Sequence, residues 1–278
     1  MKIEITYSKH FDLILHVLAY LKVNNVSCCY CPEYIGKMAI EKRDFDYDII
    51  PDIGLLQEYY NNNFQRTMLI NFLPFFSSNF EDMKSILLGY EYFTTDDFQY
   101  FVNPFIEILN KESAFYFSYW DAIHANTTSL RNIIEPQLTN EFAKYSCVFK
   151  YYKKSLQAIL SHSITKNGRG LNGIENYFTA LAPLKDNVKH VFYTIFHEIT
   201  HAFTDELLQN INMDDGSHAI SENIVILADY YMIKAIDPSD IPNYLQWLAQ
   251  PTESCLLSAF SIDKELDTKL QCLLSKIL

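Results

Sequence analysis

Residues 188–204 read VKHVFYTIFHEITHAFT, and at their centre stand His197, Glu198, Ile199, Thr200 and His201. Residues four apart on a helix share a face one turn apart, so His197 and His201 can aim two imidazole nitrogens at one ion. The surrounding sequence predicts that helix. Asp186 or Asn187 can cap it, and Val191, Ile195, Ile199, Ala202 and Phe203 give it an apolar stripe from Val188 to about Asn210. Phe196, Ile199 and Phe203 imply burial, where two imidazoles and a carboxylate are costly without partners such as a metal. Chance alone puts two His and a Glu at this spacing in roughly one chain in a hundred. Glu198 would stand beside the ion without binding it, placed to take a proton from metal-bound water and hand it to a leaving group.

A catalytic zinc has three protein ligands and one open position, so the sequence is expected to supply a third donor downstream. Glu222 is the candidate. After the turn signal Met213-Asp214-Asp215-Gly216, Ser217 can cap a second helix through Glu222, Ile224, Val225, Leu227, Ala228 and Tyr231, ending before Asp237-Pro238. His218 is the alternative ligand. An oxyanion also needs a hydrogen-bond donor opposite the metal, for which His218 and Tyr230 are nearest in sequence. Arg169, between Gly168 and Gly170, is a further candidate for a substrate carboxylate, although turn geometry by itself accounts for those glycines.

Over residues 188–233 the chain resembles the gluzincin group of zinc metallopeptidases: an HExxH helix, a short connection, and a second helix bringing a Glu about twenty residues later. The resemblance implies one Zn2+ per chain held by His197, His201 and Glu222, with Glu198 as general base and water as nucleophile. Many gluzincins carry an Asp one turn after the ligand Glu to orient a ligand His, whereas here that position is Ile226. Asp229, two turns after Glu222, and Asp205, one turn after His201, are the candidates for that role. Two His and one Glu favour zinc but would also accept cobalt or manganese.

Outward from this core, Ile3 and Ile5 alternate with polar neighbours as in a strand, and Ser8 caps a helix through Phe11, Leu15, Leu18 and Leu21. Between Pro51, Pro74 and Pro104 the spacing predicts several short helices, and the run Phe115-Tyr116-Phe117-Ser118-Tyr119-Trp120 favours a buried strand. Residues 129–160 read as helical, 163–170 as a turn, and Tyr177–Ala182 as a strand stopped by Pro183. The fold expected is α+β, mostly helical and zincin-like, with a small sheet over the active-site helix. Its parts would be an N-terminal strand-helix and helical lobe, 1–112, and a catalytic domain, 113–278, with a helical cap from Ile241 to Leu278. The boundary between them is expected near Asn110–Ser113.

Composition narrows the partners. A net charge of −12 argues against nucleic acid, which is held by clustered Lys and Arg. No apolar run reaches the roughly 18 residues of a membrane span, and the first residues show no secretory leader, so the chain reads as cytoplasmic. Its six Cys should then be reduced. Cys28 and Cys31 have C-x-x-C spacing, but no second pair follows and Cys147, Cys255 and Cys272 are isolated, which favours free thiols over a structural zinc. Asn126-Thr127-Thr128 fits the glycosylation pattern only by chance in such a setting. The activity expected is hydrolysis of an amide bond in a peptide or protein. The alternatives are a zinc-dependent hydrolase of a small non-peptide substrate and a binding protein that keeps the scaffold without turnover.

Overall fold

The computed structural model describes residues 3–21, 32–45, 47, 53–164, 168–174, 177–184, 187–208 and 217–278, and among these it leaves the side chains of 32, 74, 126–131, 172–174, 177 and 217 undescribed. It is mostly helical with a small mixed sheet, an α+β protein. The chain opens on strand β1 (Ile3–Tyr7) and helices α1 (Lys9–Leu18), α2 (Pro32–Asp44), α3 (Gly54–Asn62), α4 (Phe64–Thr67), α5 (Phe80–Gly89) and α6 (Thr95–Asp97). The long α7 (Asn103–Lys144) and α8 (Ser146–Tyr152) lead to strands β2 (Ser155–Ser161), β3 (Arg169–Ile174) and β4 (Tyr177–Pro183). Helices α9 (Val188–Thr204), α10 (Ser217–Ile236), α11 (Ile241–Trp247), α12 (Glu253–Ala259) and α13 (Lys264–Ile277) complete it. No helix among the described residues is long and apolar enough to cross a membrane.

The chain forms two compact units, one of residues 6–131 with 159–167, the other of 1–5, 132–158 and 168–278. The division near 131 falls inside α7 rather than near residue 112. Just beyond it, inside α7, Pro136 has no N–H to bond the carbonyl four residues back, at Asn132.

In the first unit the Ser8 side chain accepts from the Phe11 N–H and starts α1, as the sequence predicts. The aromatic run 115–120 is not a strand. Phe115, Tyr116, Tyr119 and Trp120 are buried while Ser118 is exposed, the three-to-four spacing of a helix, and packing against α1 residues such as His16 overrides the β preference of aromatic side chains. The same core holds a chain of buried polar groups. Lys42 Nζ lies 2.6 Å from Glu112 Oε1, whose other oxygen is 2.9 Å from His16 Nε2, and His16 Nδ1 is 2.9 Å from the Tyr34 hydroxyl. Burial would raise Glu112, but His16 and Lys42 more than offset it and hold the carboxyl below the usual range.

In the second unit the sheet order is β1-β2-β4-β3, with β3 an antiparallel edge strand and β1 and β2 contributing only their residues up to 5 and 158. Two strand expectations change. Residues 155–160, read as the end of a helix, fall in β2, whose first positions alternate, Leu156 and Ala158 buried and Ser155 and Gln157 half-buried. Arg169 and Gly170, read as turn, begin β3 and pair with Leu181 and Ala180. Asn187 caps α9, accepting from the Lys189 and His190 N–H groups, while Asp186 and the expected turn at 213–216 lie outside the described residues. The helix gives way at Asp205 to a 3-10 turn through Leu208.

Helix α9 is the centre of this unit: β3 and β4 pack on it, and so do α10 and α11. Val191 to Phe196 are all buried. Phe192 and Phe196 stack on one another and meet Tyr145, and Phe142 and Phe149 close the cluster. Each such ring contributes about 1.5–3 kcal/mol by leaving water. Helices α11 to α13 form the expected C-terminal cap, α13 packing on α10 and α8.

Candidate metal centre

One donor atom each of His197, His201 and Glu222 lies within 4.8 Å of the others. His197 Nε2 is 3.3 Å from Glu222 Oε2 and His201 Nε2 is 3.4 Å from Glu222 Oε1. Donors about 2.0–2.1 Å from a tetrahedral ion stand about 3.3–3.4 Å from one another, which each imidazole matches to one of the two Glu222 oxygens, while the three donor atoms as a set lie within 4.8 Å. The two His come from consecutive turns of α9 and the Glu from the second turn of α10 packed against it, which is how sequence positions twenty-one apart converge.

Behind the donors stands a second set of groups. His197 Nδ1 is 3.2 Å from Asp229 Oδ2, and the Thr200 hydroxyl meets Asp229 Oδ1. Asp229 and Thr200 are fully buried. An ionised Asp229 only accepts, so it holds the Nδ1 proton; in the metal-free site Nε2 donates to Glu222, and loss of that second proton would free the Nε2 lone pair for an ion. Ile226, one turn after Glu222, offers no such carboxylate, whereas Asp229, one turn further, stands against His197. His201 is held less firmly, with Ser221 Oγ 3.4 Å and Asp205 Oδ1 3.9 Å from its Nδ1.

Without an ion these groups share protons. Burial pushes His197 down, but hydrogen bonds to Asp229 and Glu222 outweigh it and bring it up to about 10. His201 is likewise depressed by burial and raised by Asp205 and Glu222, to about 9. Burial opposes the Glu222 charge, yet both imidazoles hold its carboxyl far below the usual range. Glu198 makes no bond to the trio. Its carboxyl is raised by burial, against the pull of His197, His201 and Arg169.

The other sequence candidates separate clearly. His218 is 70% exposed and its Nε2 is 3.9 Å from Glu222 Oε1, outside the donor group. Tyr230 is turned elsewhere: its hydroxyl meets Glu253, and Lys234 Nζ donates to it at 2.7 Å. Arg169 Nη1 donates to the Gly168 carbonyl at 3.0 Å. Cys28, Cys29 and Cys31 lie outside the described residues, and Cys147, Cys255 and Cys272 are free.

Two features had no sequence signal. The Trp247 ring, at the end of α11, lies 5.9 Å from that of His197. Glu198 rests against the backbone of the β3 segment at Gly168 and Gly170. No family model matches the chain, and neither does any curated protein or solved structure.

Proposed function

We propose that the protein is a zinc-dependent hydrolase of the zincin type, acting on an amide bond in a peptide or protein. The observation that carries this reading is the convergence of His197, His201 and Glu222, one donor atom of each within 4.8 Å of the others, with Glu198 beside them and outside the donor group. The sheet on α9 and the Glu brought by the following helix support it, as does the resemblance to gluzincins. Bound there, zinc would polarise a substrate carbonyl and make water available as a nucleophile near neutral pH.

The chain's own residues would do the rest. His197 and His201 offer neutral nitrogens and Glu222 a carboxylate, which balances part of a dication's charge. Asp229 and Thr200 fix the His197 ring. Glu198 would accept a proton from water at its carboxylate and return it to the leaving nitrogen, and its burial keeps that carboxyl closer to neutral pH than an exposed one. Trp247 would form an aromatic wall beside His197. A cytoplasmic setting fits the sequence.

Elemental analysis of wild-type protein, His201→Ala and Glu222→Gln tests the centre. About one zinc per chain, lost in both variants, is the expected result. No metal even after zinc is supplied would overturn it. With the metal established, cleavage of a peptide library that stops in Glu198→Gln supports the peptidase. Turnover of small amides alone would identify the non-peptide hydrolase, and a metal-loaded protein without turnover the binding scaffold.

A further inference from the structure

The glycines flanking Arg169 are explained by space. Neither has a left-handed backbone, so what each position requires is the absence of a side chain. At Gly168 an added Cβ would stand 2.6 Å from the Leu181 carbonyl oxygen and 2.7 Å from Thr194 Cγ2, so a methyl there would push the β3 segment off β4 and α9. Gly170 is different. Its Cβ would meet Phe178 Cζ at 2.7 Å, Glu198 Oε2 at 3.0 Å and Glu198 Cβ at 3.1 Å. The Phe178 and Glu198 Oε2 atoms are ends of side chains, which can swing, whereas β3 is tied to β4 through the Gly170–Ala180 pair. Under a methyl at this position the strand would stay, and the Phe178 ring and the Glu198 carboxylate would both have to move, since Glu198 Cβ is held by α9.

We propose that Gly170 is a positioning residue whose bare backbone seats the Glu198 carboxylate beside the metal centre. The inference rests on the reading of Glu198 as the proton carrier of that centre. It makes the edge strand part of the working geometry of α9, since general-base transfer depends on placement to within a fraction of an ångström. It also assigns the two glycines different work, Gly168 for strand packing and Gly170 for the carboxylate.

The test uses the full chain loaded with cobalt, whose visible band responds to groups hydrogen-bonded around the ion. Gly170→Ala should bind cobalt at the wild-type stoichiometry, show a band displaced toward that of Glu198→Gln, and add no further displacement when combined with Glu198→Gln. Peptide cleavage should fall with it, at least 10-fold by the cost of misplacing a catalytic group. A wild-type band in Gly170→Ala, or a displacement that adds in full on Glu198→Gln, would overturn the proposal. Should wild-type protein bind no cobalt, the metal reading fails by itself and melting temperatures decide on the contact. A smaller loss from Gly170→Ala in a Glu198→Ala background than in wild type then supports the seat, and an equal loss refutes it.

Discussion

Asp229 Oδ2 stands 3.2 Å from His197 Nδ1, on the ring edge opposite the nitrogen that faces Glu222, and the buried Thr200 hydroxyl meets the other Asp229 oxygen. Seven residues separate Glu222 from Asp229, two turns of α10, so one face of that helix supplies both the donor and the group that orients another donor. Asp229→Ala should weaken zinc binding about 10- to 100-fold by loosening the His197 ring. Competition with a chelator measures it, and wild-type affinity would remove Asp229 from the centre.

Metal and protons compete for the same imidazoles. His197 at about 10 and His201 at about 9 in the metal-free site mean that both carry protons at neutral pH. Zinc needs both nitrogens bare, so its affinity should rise with pH up to that range and fall as pH drops, by up to about 100-fold per unit while two protons are displaced. Calorimetry in buffers of different ionisation enthalpy counts the protons released. A count of zero would contradict the protonated pair.

His218 is exposed and outside the donor group. His218→Ala should leave zinc stoichiometry unchanged, whereas Glu222→Ala should abolish it. A loss of metal in the His218 variant would reverse the assignment of the third ligand.

Phe196 stacks on Phe192 of the same helix and holds α9 against Tyr145 and Phe149. Phe196→Ala should cost about 3–5 kcal/mol, the usual penalty for emptying an aromatic core site. Urea unfolding reads the loss directly.

In the other unit Glu112 is the one carboxylate paired with buried Lys42 and His16 among the contacts described. Glu112→Ala leaves the Lys42 charge in the core without its partner and should cost about 3–5 kcal/mol. Pairing the change with Lys42→Met should recover most of that loss, and thermal melts of the two variants compare them.

Local signals in the sequence proved sufficient for several elements. The Ser8 cap, the Asn187 cap and the stripe of α9 rest on side chains within one or two turns of each other, and each stands where spacing predicts. Glu222 was legible for the same reason, because a capped amphipathic helix following a turn brings its first turns beside the helix before it. The aromatic run 115–120 misled, since five large side chains in six adjacent positions suit either a strand or a helix until one face is covered. Strand β2 was hidden because no Gly or Pro marks the break before it, the chain turning instead at Lys153, whose left-handed backbone has no local sequence signal. Asp229 was legible as a candidate by its place on the helix face, but not as the partner of His197, which depends on how α10 is rotated against α9.

The sequence alone determined the chemistry available: two imidazoles one turn apart, a carboxylate beside them and a donor on the next helix, all consequences of a 3.6-residue period. Tertiary structure decided which of the downstream groups meet them. Glu222 joins the two imidazoles while His218 stays outside the donor group, Asp229 with Thr200 stands against His197 where Ile226 offers no carboxylate, Trp247 reaches His197 from α11, and Gly170 leaves room for Glu198. Those relations depend on distances between elements far apart in the chain, and such distances are set by close packing of the core, which no local pattern of residues encodes.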